Sequence, residues 1–187
     1  MGGECIVGAM PFAYYERLSR RDKAIYDRSD SVVALLLPAP EGLRPMVEVL
    51  RQGLARDQRP AVEAAAQALC RGITESLAVE PVELGVLAVR PSLREAELHG
   101  LYTREEGRRA RIRVWMRTVR YKRVVAFRTF LRTVLHELCH HLDYTHFGLA
   151  DSFHTEGFFK RESSLFYQLV PRETPRPRPG DDASGAL

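Results

Sequence analysis

The sequence has few cysteines and no long apolar run, and each shortage argues against a class of protein. Its 187 residues include three cysteines, Cys5, Cys70 and Cys139. This count is odd and sparse, unlike the disulfide framework of a small secreted protein. The longest strongly apolar run, residues 32–37, is far too short to cross a bilayer. The first residues do not place basic side chains before an apolar stretch, so no secretory signal is expected. The chain is therefore predicted to be cytoplasmic, without a membrane partner.

The bulk composition is that of an ordinary globular protein. Hydrophobic residues make up 45% of the chain and charged residues 28%, which excludes fibrous and strongly disordered classes. A chain of this length is long enough to bury one core. We expect a single domain.

The first 80 residues predict helices. Apolar residues recur at helical spacing over residues 12–29 and 43–54, and a third, alanine-rich segment covers residues 59–77. Pro60 lies at the first turn of that segment, where a helix tolerates proline. These segments contain no group of catalytic residue types, so residues 1–80 are predicted to be a helical scaffold within the same domain.

From Pro81 the pattern changes to strands. Residues 82–89 form a β-branched, apolar run of strand length. Residues 99–102 and 109–119 then flank a polar turn around Gly107, which predicts a hairpin. The second arm alternates between two faces. The inner face is predicted to carry Ala110, Ile112, Val114 and Met116, and the outer face Arg109, Arg111, Arg113 and Trp115.

Two further helices are expected after the hairpin. Helical spacing of apolar residues covers 122–147, and Gly148 follows where a C-terminal glycine cap belongs. After a short loop, a last helix reaches about Val170. Residues 171–187 are rich in proline and arginine and are predicted to be a disordered tail.

The chemically informative segment is His136-Glu137-Leu138-Cys139-His140. Histidines four residues apart on a helix have Cβ atoms about 5–6 Å apart, so both imidazoles can reach one Zn²⁺. Glu137 would stand beside the ion, where a carboxylate can accept a proton from a water acidified by the metal. Cys139 faces another way and is interpreted as a small buried apolar residue. The segment therefore predicts a zinc ion with a catalytic base.

Zinc needs a third protein ligand, and three residues compete. His146 has the metzincin spacing, but that class requires a glycine where this chain has Asp143, and no methionine follows Met116. His154 shares a helical stripe with the apolar residues of the last helix, which turns it toward the core, so it is favoured over Glu162. Glu162 would then orient a ligand. Three residues are candidate oxyanion stabilisers by residue type, but ordinary packing or surface roles are the stronger interpretation for each: Tyr144, Arg161 and Tyr167.

The HExxH segment, a loop, and then His154-Thr155-Glu156-Gly157-Phe158 resemble the SprT-like (Spartan-type) zinc metallopeptidases over residues 84–168. Residues 98–102 and 110–116 also resemble the hairpin that precedes the active helix of small zincins. The resemblance implies an α+β zincin domain with a catalytic core at 81–170. It implies His136, His140 and His154 as zinc ligands and Glu137 as the acid/base. Thr155 stands where that family commonly has glycine.

The resemblance implies a protein or peptide substrate, which in zincins commonly pairs with an edge strand, and residues 112–116 are the candidate strand. A basic stretch leaves a second interpretation open, because residues 104–132 contain eleven Lys or Arg and two Glu. It can contact DNA, as in proteases of DNA-attached proteins, or be a solvated face. A non-catalytic zinc-binding regulatory module is the third alternative, although it has no use for Glu137.

Overall fold

The computed structural model describes residues 12–89 and 100–171. Within them, a mixed α+β arrangement of five α-helices and one three-stranded sheet is formed. The α+β class predicted from the sequence is therefore confirmed. The predicted tail lies outside the described residues except for Pro171, and so do Cys5 and residues 98 and 99 of the predicted hairpin.

The five helices are α1 (Arg20–Ser31), α2 (Arg44–Ala55), α3 (Arg59–Ser76), α4 (Phe127–Thr145) and α5 (Glu156–Leu169). The Ser19 side chain caps α1 by accepting from the Asp22 N–H, as N-cap serines do. Before it, Tyr15–Arg17 form a short 3-10 helix, so the helix predicted over residues 12–29 begins eight residues later than expected. The predictions of α2, α3 and α5 are confirmed to within a few residues.

The start of α4 was predicted five residues too early. Lys122 has φ +51°, which interrupts a right-handed helix. Val124 pairs with Arg117 in an isolated antiparallel bridge, so residues 122–126 continue the sheet region before the helix begins. At its other end, Gly148 has φ +59°, the left-handed conformation expected after a helix.

The sheet contains β1 (Glu83–Val89), β2 (Gly100–Thr103) and β3 (Arg111–Arg117), in the order β1-β3-β2. β1 runs parallel to β3, and β2 runs antiparallel to it, with Gly100 opposite Val114. The predicted hairpin is confirmed. The proposal that residues 112–116 form an edge strand is wrong, because β3 is the central strand of the three and β2 is at the edge.

The two faces of β3 differ from the prediction at one position. Ile112, Val114 and Met116 are buried and Arg111 and Arg113 are exposed, as predicted. Trp115 is also buried, at 6% exposure, although the alternation placed it on the outer face. Its register partner on β1 is Leu87.

One hydrophobic cluster joins α2, α3, the sheet, α4 and α5. Tyr26 of α1 is buried but lies outside this cluster. Cys70 and Cys139 are free thiols within it, as expected for Cys139. Among the described residues, no helix is long and apolar enough to span a membrane.

The first turn of α5 packs tightly against the end of α1. The Gly157 N–H donates to the Asp30 carboxylate at 2.8 Å. A Cβ on Gly157 would lie 2.7 Å from the carbonyl oxygen of Ser29, so only glycine allows this approach. The contact fixes the segment that carries His154, three residues earlier.

Candidate metal centre

Three histidine side chains meet at one point on the surface of α4. Nε2 of His154 lies 3.0 Å from Nε2 of His136 and 3.1 Å from Nε2 of His140. Donor atoms bound to one tetrahedral ion at 2.0–2.1 Å would lie about 3.3 Å apart. The three nitrogens are therefore close to the spacing that a shared ion requires, and this group is able to hold a metal ion.

His136 and His140 come together because they stand one turn apart on α4, whereas His154 is brought from a separate loop. The backbone carbonyl of His154 accepts from the Tyr14 hydroxyl at 2.9 Å. Thr155 is fully buried and caps α5, its hydroxyl accepting from the Phe158 N–H at 2.9 Å. Thr155 therefore caps the helix with its hydroxyl, which a glycine at this position could not do because it has no side chain.

Phe158 forms an apolar support beneath the histidines. Its ring is fully buried, and its centroid lies 5.0 Å from His136, 4.8 Å from His140 and 5.2 Å from His154. Contact with one rigid ring restricts the rotation of all three imidazoles. Phe158 follows His154 by four residues, the spacing already visible in the sequence.

The remaining ring nitrogens are held by hydrogen bonds that set the tautomers. Nδ1 of His136 lies 3.2 Å from the Glu162 carboxylate, so this nitrogen donates. Nδ1 of His140 lies 2.7 Å from the Ser152 hydroxyl, which itself donates to Asp143. The His140 nitrogen must therefore also donate. Both histidines then present an unprotonated Nε2, the form that binds a metal.

The three candidates for the third zinc ligand lie in different surroundings. His154 joins His136 and His140, whereas Glu162 contacts the nitrogen of His136 that points away from the group. Glu162 also accepts from Arg132 at 3.0 Å, so both its oxygens are used in orienting other side chains. His146 caps the end of α4, is exposed and contacts Phe147, outside the group.

Burial lowers the basicity of two of the three histidines, His140 and His154. Burial, followed by the neighbouring His136 and His154, lowers the pKa of His140 to about 3. Burial and His136 also lower the pKa of His154. At neutral pH these rings are neutral, so they do not have to lose protons before binding a cation.

Glu137 lies in the wall of the same cleft and is held from the edge strand. It is 7% exposed, and burial raises its pKa to about 7, an effect opposed by His136 and by the backbone N–H of Tyr102. A Cβ on Gly100 would lie 2.5 Å from its Oε1, so this glycine leaves room for the carboxylate. A carboxylate with a pKa near neutrality can both accept and return a proton at physiological pH.

The cleft over the histidines has a volume of about 720 Å³. β2 and α4 form its two sides, and the lining includes Gly100, Leu101 and Tyr102 from the strand. β2 pairs with β3 on one side, and no other described strand pairs with it. Within residues 12–89 and 100–171, the cleft therefore runs beside a strand edge to which no other strand is paired.

His141 fixes Tyr102, the last lining residue of that strand. Nε2 of His141 lies 2.7 Å from the carbonyl oxygen of Glu80, which only accepts, so this nitrogen is protonated. Nδ1 then accepts from the Tyr102 hydroxyl at 3.2 Å. Burial lowers the pKa of His141, which keeps the ring in this neutral form. The pair ties β2 to α4 and to the end of the helical scaffold.

A buried ion pair supports the histidine site from below. Arg161 and Asp143 are 1% and 0% exposed and their side chains meet at 2.9 Å. Arg161 also donates to the carbonyl oxygens of Ser29 and Val32, at 2.6 Å each. Asp143 in turn accepts from Ser152, the partner of His140. The end of α1 is thus connected to His140 through three side chains.

The residues considered as oxyanion stabilisers are separated by the fold. Tyr144 lines the cleft and its hydroxyl donates to Asp151 at 3.1 Å. The Arg161 guanidinium is committed to the buried network and does not line the cleft. Tyr167 is 37% exposed and is not among the lining residues.

The basic residues of 104–132 are spread over several elements. Four of them pair with carboxylates: Arg108 with Glu105, Arg111 with Glu83, Arg117 with Asp57 and Arg132 with Glu162. Others stack on rings, such as Arg104 on Tyr144 and Arg128 on Phe166. The stretch is therefore divided between the hairpin, the following loop and α4.

Four contributors to the site were not identified as such from the sequence: Tyr102, Arg132, Asp143 and Ser152. Each contacts residues that are distant in the sequence, and the local periodicity of the sequence does not reveal such contacts. Only Asp143 could have been recognised from the sequence, because a charged residue at a core position of an apolar helix requires a partner.

Comparison with known proteins gave no match: no family model, no curated protein and no solved structure is similar to this chain at the threshold applied.

Proposed function

We propose that the chain is a zinc-dependent peptidase in which His136, His140 and His154 hold the ion and Glu137 carries the proton. The observation that supports this most strongly is the convergence of three Nε2 atoms with Glu137 in the wall of the same cleft. The spacing between His140 and His154 supports assignment to the SprT-like type of zincin.

The donor set favours zinc in a catalytic role. Three converging imidazoles, two of them with a hydrogen-bonded second nitrogen, are a common zinc environment, and the cleft leaves the fourth position accessible. When bound, zinc lowers the pKa of water and polarises a carbonyl group.

Glu137 supplies the proton transfer. Its ionised carboxylate accepts a proton from the attacking water while the water oxygen bonds to the carbonyl carbon of the peptide. The same carboxyl group then gives that proton to the amide nitrogen as the carbon–nitrogen bond breaks. The Tyr102 N–H and the space over Gly100 hold the carboxylate in place during both transfers.

The open edge of β2 is the proposed binding site for the substrate main chain. An extended polypeptide added to this edge would pair with the strand through backbone hydrogen bonds. It would then lie between Leu101 and α4, over the histidines. This arrangement suits a protein or peptide substrate, because a small molecule without a main chain could not use the edge.

Replacement of the proton carrier tests the proposal. Glu137→Gln should retain one zinc per chain but lose peptide hydrolysis by roughly 10²–10⁴-fold, the contribution typical of general acid–base catalysis. The measurements are metal content and cleavage of an unstructured protein substrate. Glu156→Gln, which removes a carboxylate paired with Lys160 on α5, is the matched control and should retain both properties.

Two outcomes oppose the proposal. Zinc binding without hydrolysis of any protein or peptide by the wild type would indicate a non-catalytic binding module. Full activity of Glu137→Gln would show that another group transfers the proton. If only DNA-attached protein is hydrolysed, the peptidase proposal holds and its substrates are restricted to such proteins.

A further inference from the structure

Two arginines on α4 line two different hollows, one of which is the metal cleft. Arg128 and Arg132 stand one turn apart, and both guanidinium groups stack on the ring of Phe166, at 4.8 and 4.3 Å from its centroid. Arg132 lines the metal cleft. Arg128 lines the neighbouring hollow of about 580 Å³, together with Arg44 and Arg51. We call Arg44, Arg51, Arg128 and Arg132 the arginine row.

The row carries more positive charge than its partners neutralise. Arg51 pairs with Glu48 at 3.2 Å and Arg132 with Glu162 at 3.0 Å. Arg44 donates to the backbone carbonyl of Gln168, which carries no charge. Arg128 makes no ion pair within residues 12–89 and 100–171. Two of the four guanidinium charges are thus without a described carboxylate.

Stacking leaves the guanidinium groups able to bind a ligand. A guanidinium that packs on a ring with its face keeps its N–H donors in the plane, directed outward. The guanidinium carbon of Arg128 lies 4.8 Å from the ring centroid of Phe166, and that of Arg51 lies 4.3 Å from the ring centroid of Phe127, so both groups are held over a ring. Such fixed donors match the two oxygens of a carboxylate, and less side-chain entropy is lost when they bind it.

The geometry of α4 relates the row to the metal. Arg132 precedes His136 by one helical turn and Arg128 by two, which places them about 6 and 12 Å along the helix axis. An extended peptide advances about 3.3 Å per residue. A substrate chain leaving the metal along α4 therefore passes Arg132 after about two residues and Arg128 after about four.

We propose that the arginine row selects substrate polypeptides with acidic side chains two to four residues from the scissile bond, on the side of the amino-terminal half of α4. This inference rests on the proposed peptidase function and adds the class of substrate. An acidic polypeptide is preferred to a nucleic acid as the occupant, because Arg132 of the row lines the cleft in which the peptide bond has to lie.

The test compares peptides that differ only in charge. The fluorogenic peptides share a cleavable core. On one side of it, two to four residues from the scissile bond, they carry Asp or Glu, the corresponding amides Asn or Gln, or Lys. The wild type should cleave the acidic peptide with a kcat/KM about 5–20-fold above that of the amide peptide, and the ratio should fall with added salt. Arg128→Ala should lower this ratio about 3-fold. Arg128→Glu should invert the preference in favour of the Lys peptide.

Arg113→Ala, which removes an exposed arginine from β3, is the matched control and should leave the ratio unchanged. Equal cleavage of acidic and amide peptides, or an unchanged ratio in both Arg128 variants, would overturn the inference while leaving the peptidase in place.

Binding separates this inference from the peptidase proposal. Fluorescence anisotropy measures the affinity of the same peptides for Glu137→Gln protein. One outcome is that the wild type cleaves no peptide at all, while the acidic peptide still binds in an Arg128-dependent manner. The peptidase proposal then fails, and the arginine row remains a binding site for acidic polypeptides. If a single-stranded DNA oligonucleotide binds the row more tightly than the acidic peptide, the row is not a polypeptide site and the inference fails.

Discussion

At the residue scale, the site depends on histidines oriented by hydrogen bonds and on one buried carboxylate, Glu137. The second nitrogen of His136 is occupied by Glu162 and that of His140 by Ser152. The HExxH spacing was sufficient to predict that His136 and His140 meet. His154 joins them as predicted, but the reason given for it was wrong, because His154 is exposed in the loop before α5 and does not lie on an inward-facing stripe of that helix. The Ser152 and Asp143 contacts could not be predicted, because they depend on how the loop after α4 folds back.

Glu137 should destabilise the metal-free protein at high pH. Its ordinary pKa of 4.5 is raised to about 7 in the folded state, so between these values the folded protein binds more protons than the unfolded chain. Stability contributed by this group therefore falls as pH rises from 4.5 through 7. With a chelator present, Glu137→Gln should exceed the wild type in unfolding free energy by on the order of 1–3 kcal/mol at pH 8.

The difference should vanish near pH 4, where Glu137 is protonated in both states. Denaturant unfolding at the two pH values provides the measurement. A variant less stable than the wild type at pH 8 would show that the buried carboxylate is not under strain.

At the element scale, the edge strand β2 brings Gly100 and Tyr102 against α4. The hairpin was predictable from its period-two pattern and the turn at Gly107. The strand order was not predictable, because it depends on the parallel pairing of β1 with β3 across a long crossover. The same limitation explains Trp115, whose burial is not given by alternation along its own strand.

Gly100→Ala should damage catalysis more than folding. The new methyl group would lie 2.5 Å from Oε1 and 2.6 Å from Cγ of Glu137, so this flexible side chain has to move. A displacement of about 1 Å at a reacting group can cost about 100-fold in rate. We expect kcat to fall 10–100-fold with metal content unchanged.

Gly85→Ala on β1 is the control, because nothing lies within 4 Å of its added Cβ. Steady-state kinetics and metal analysis of both variants provide the readout. Unaltered kcat in Gly100→Ala would mean that Glu137 is not positioned by this strand.

At the scale of the whole molecule, α2 and α3 share one core with the metal-binding half, and a buried ion pair on α4 and α5 is hydrogen-bonded to the end of α1. Arg161 on α5 reaches the end of α1 and, through Asp143 and Ser152, His140. The helices of residues 1–80 were predicted as scaffold without a link to the site. The buried hydrogen-bond network links α1 to His140.

Arg161→Met should lower both stability and metal affinity. It leaves Asp143 buried without its cation, which costs about 3–5 kcal/mol. Adding Asp143→Leu should recover much of the stability, because no buried charge remains. The double variant should still bind metal about 10-fold more weakly than the wild type, since Ser152 has lost its acceptor. Thermal unfolding and metal titration distinguish the two effects; wild-type metal affinity in the double variant would contradict the link.

The most direct measurement is metal titration of the purified, chelator-treated protein and two variants. We predict one tightly bound zinc per chain in the wild type, its loss in His154→Ala, and retention with about 10–100-fold lower affinity in Glu162→Ala. Unchanged zinc affinity in His154→Ala, or no zinc binding by the wild type, would contradict the account.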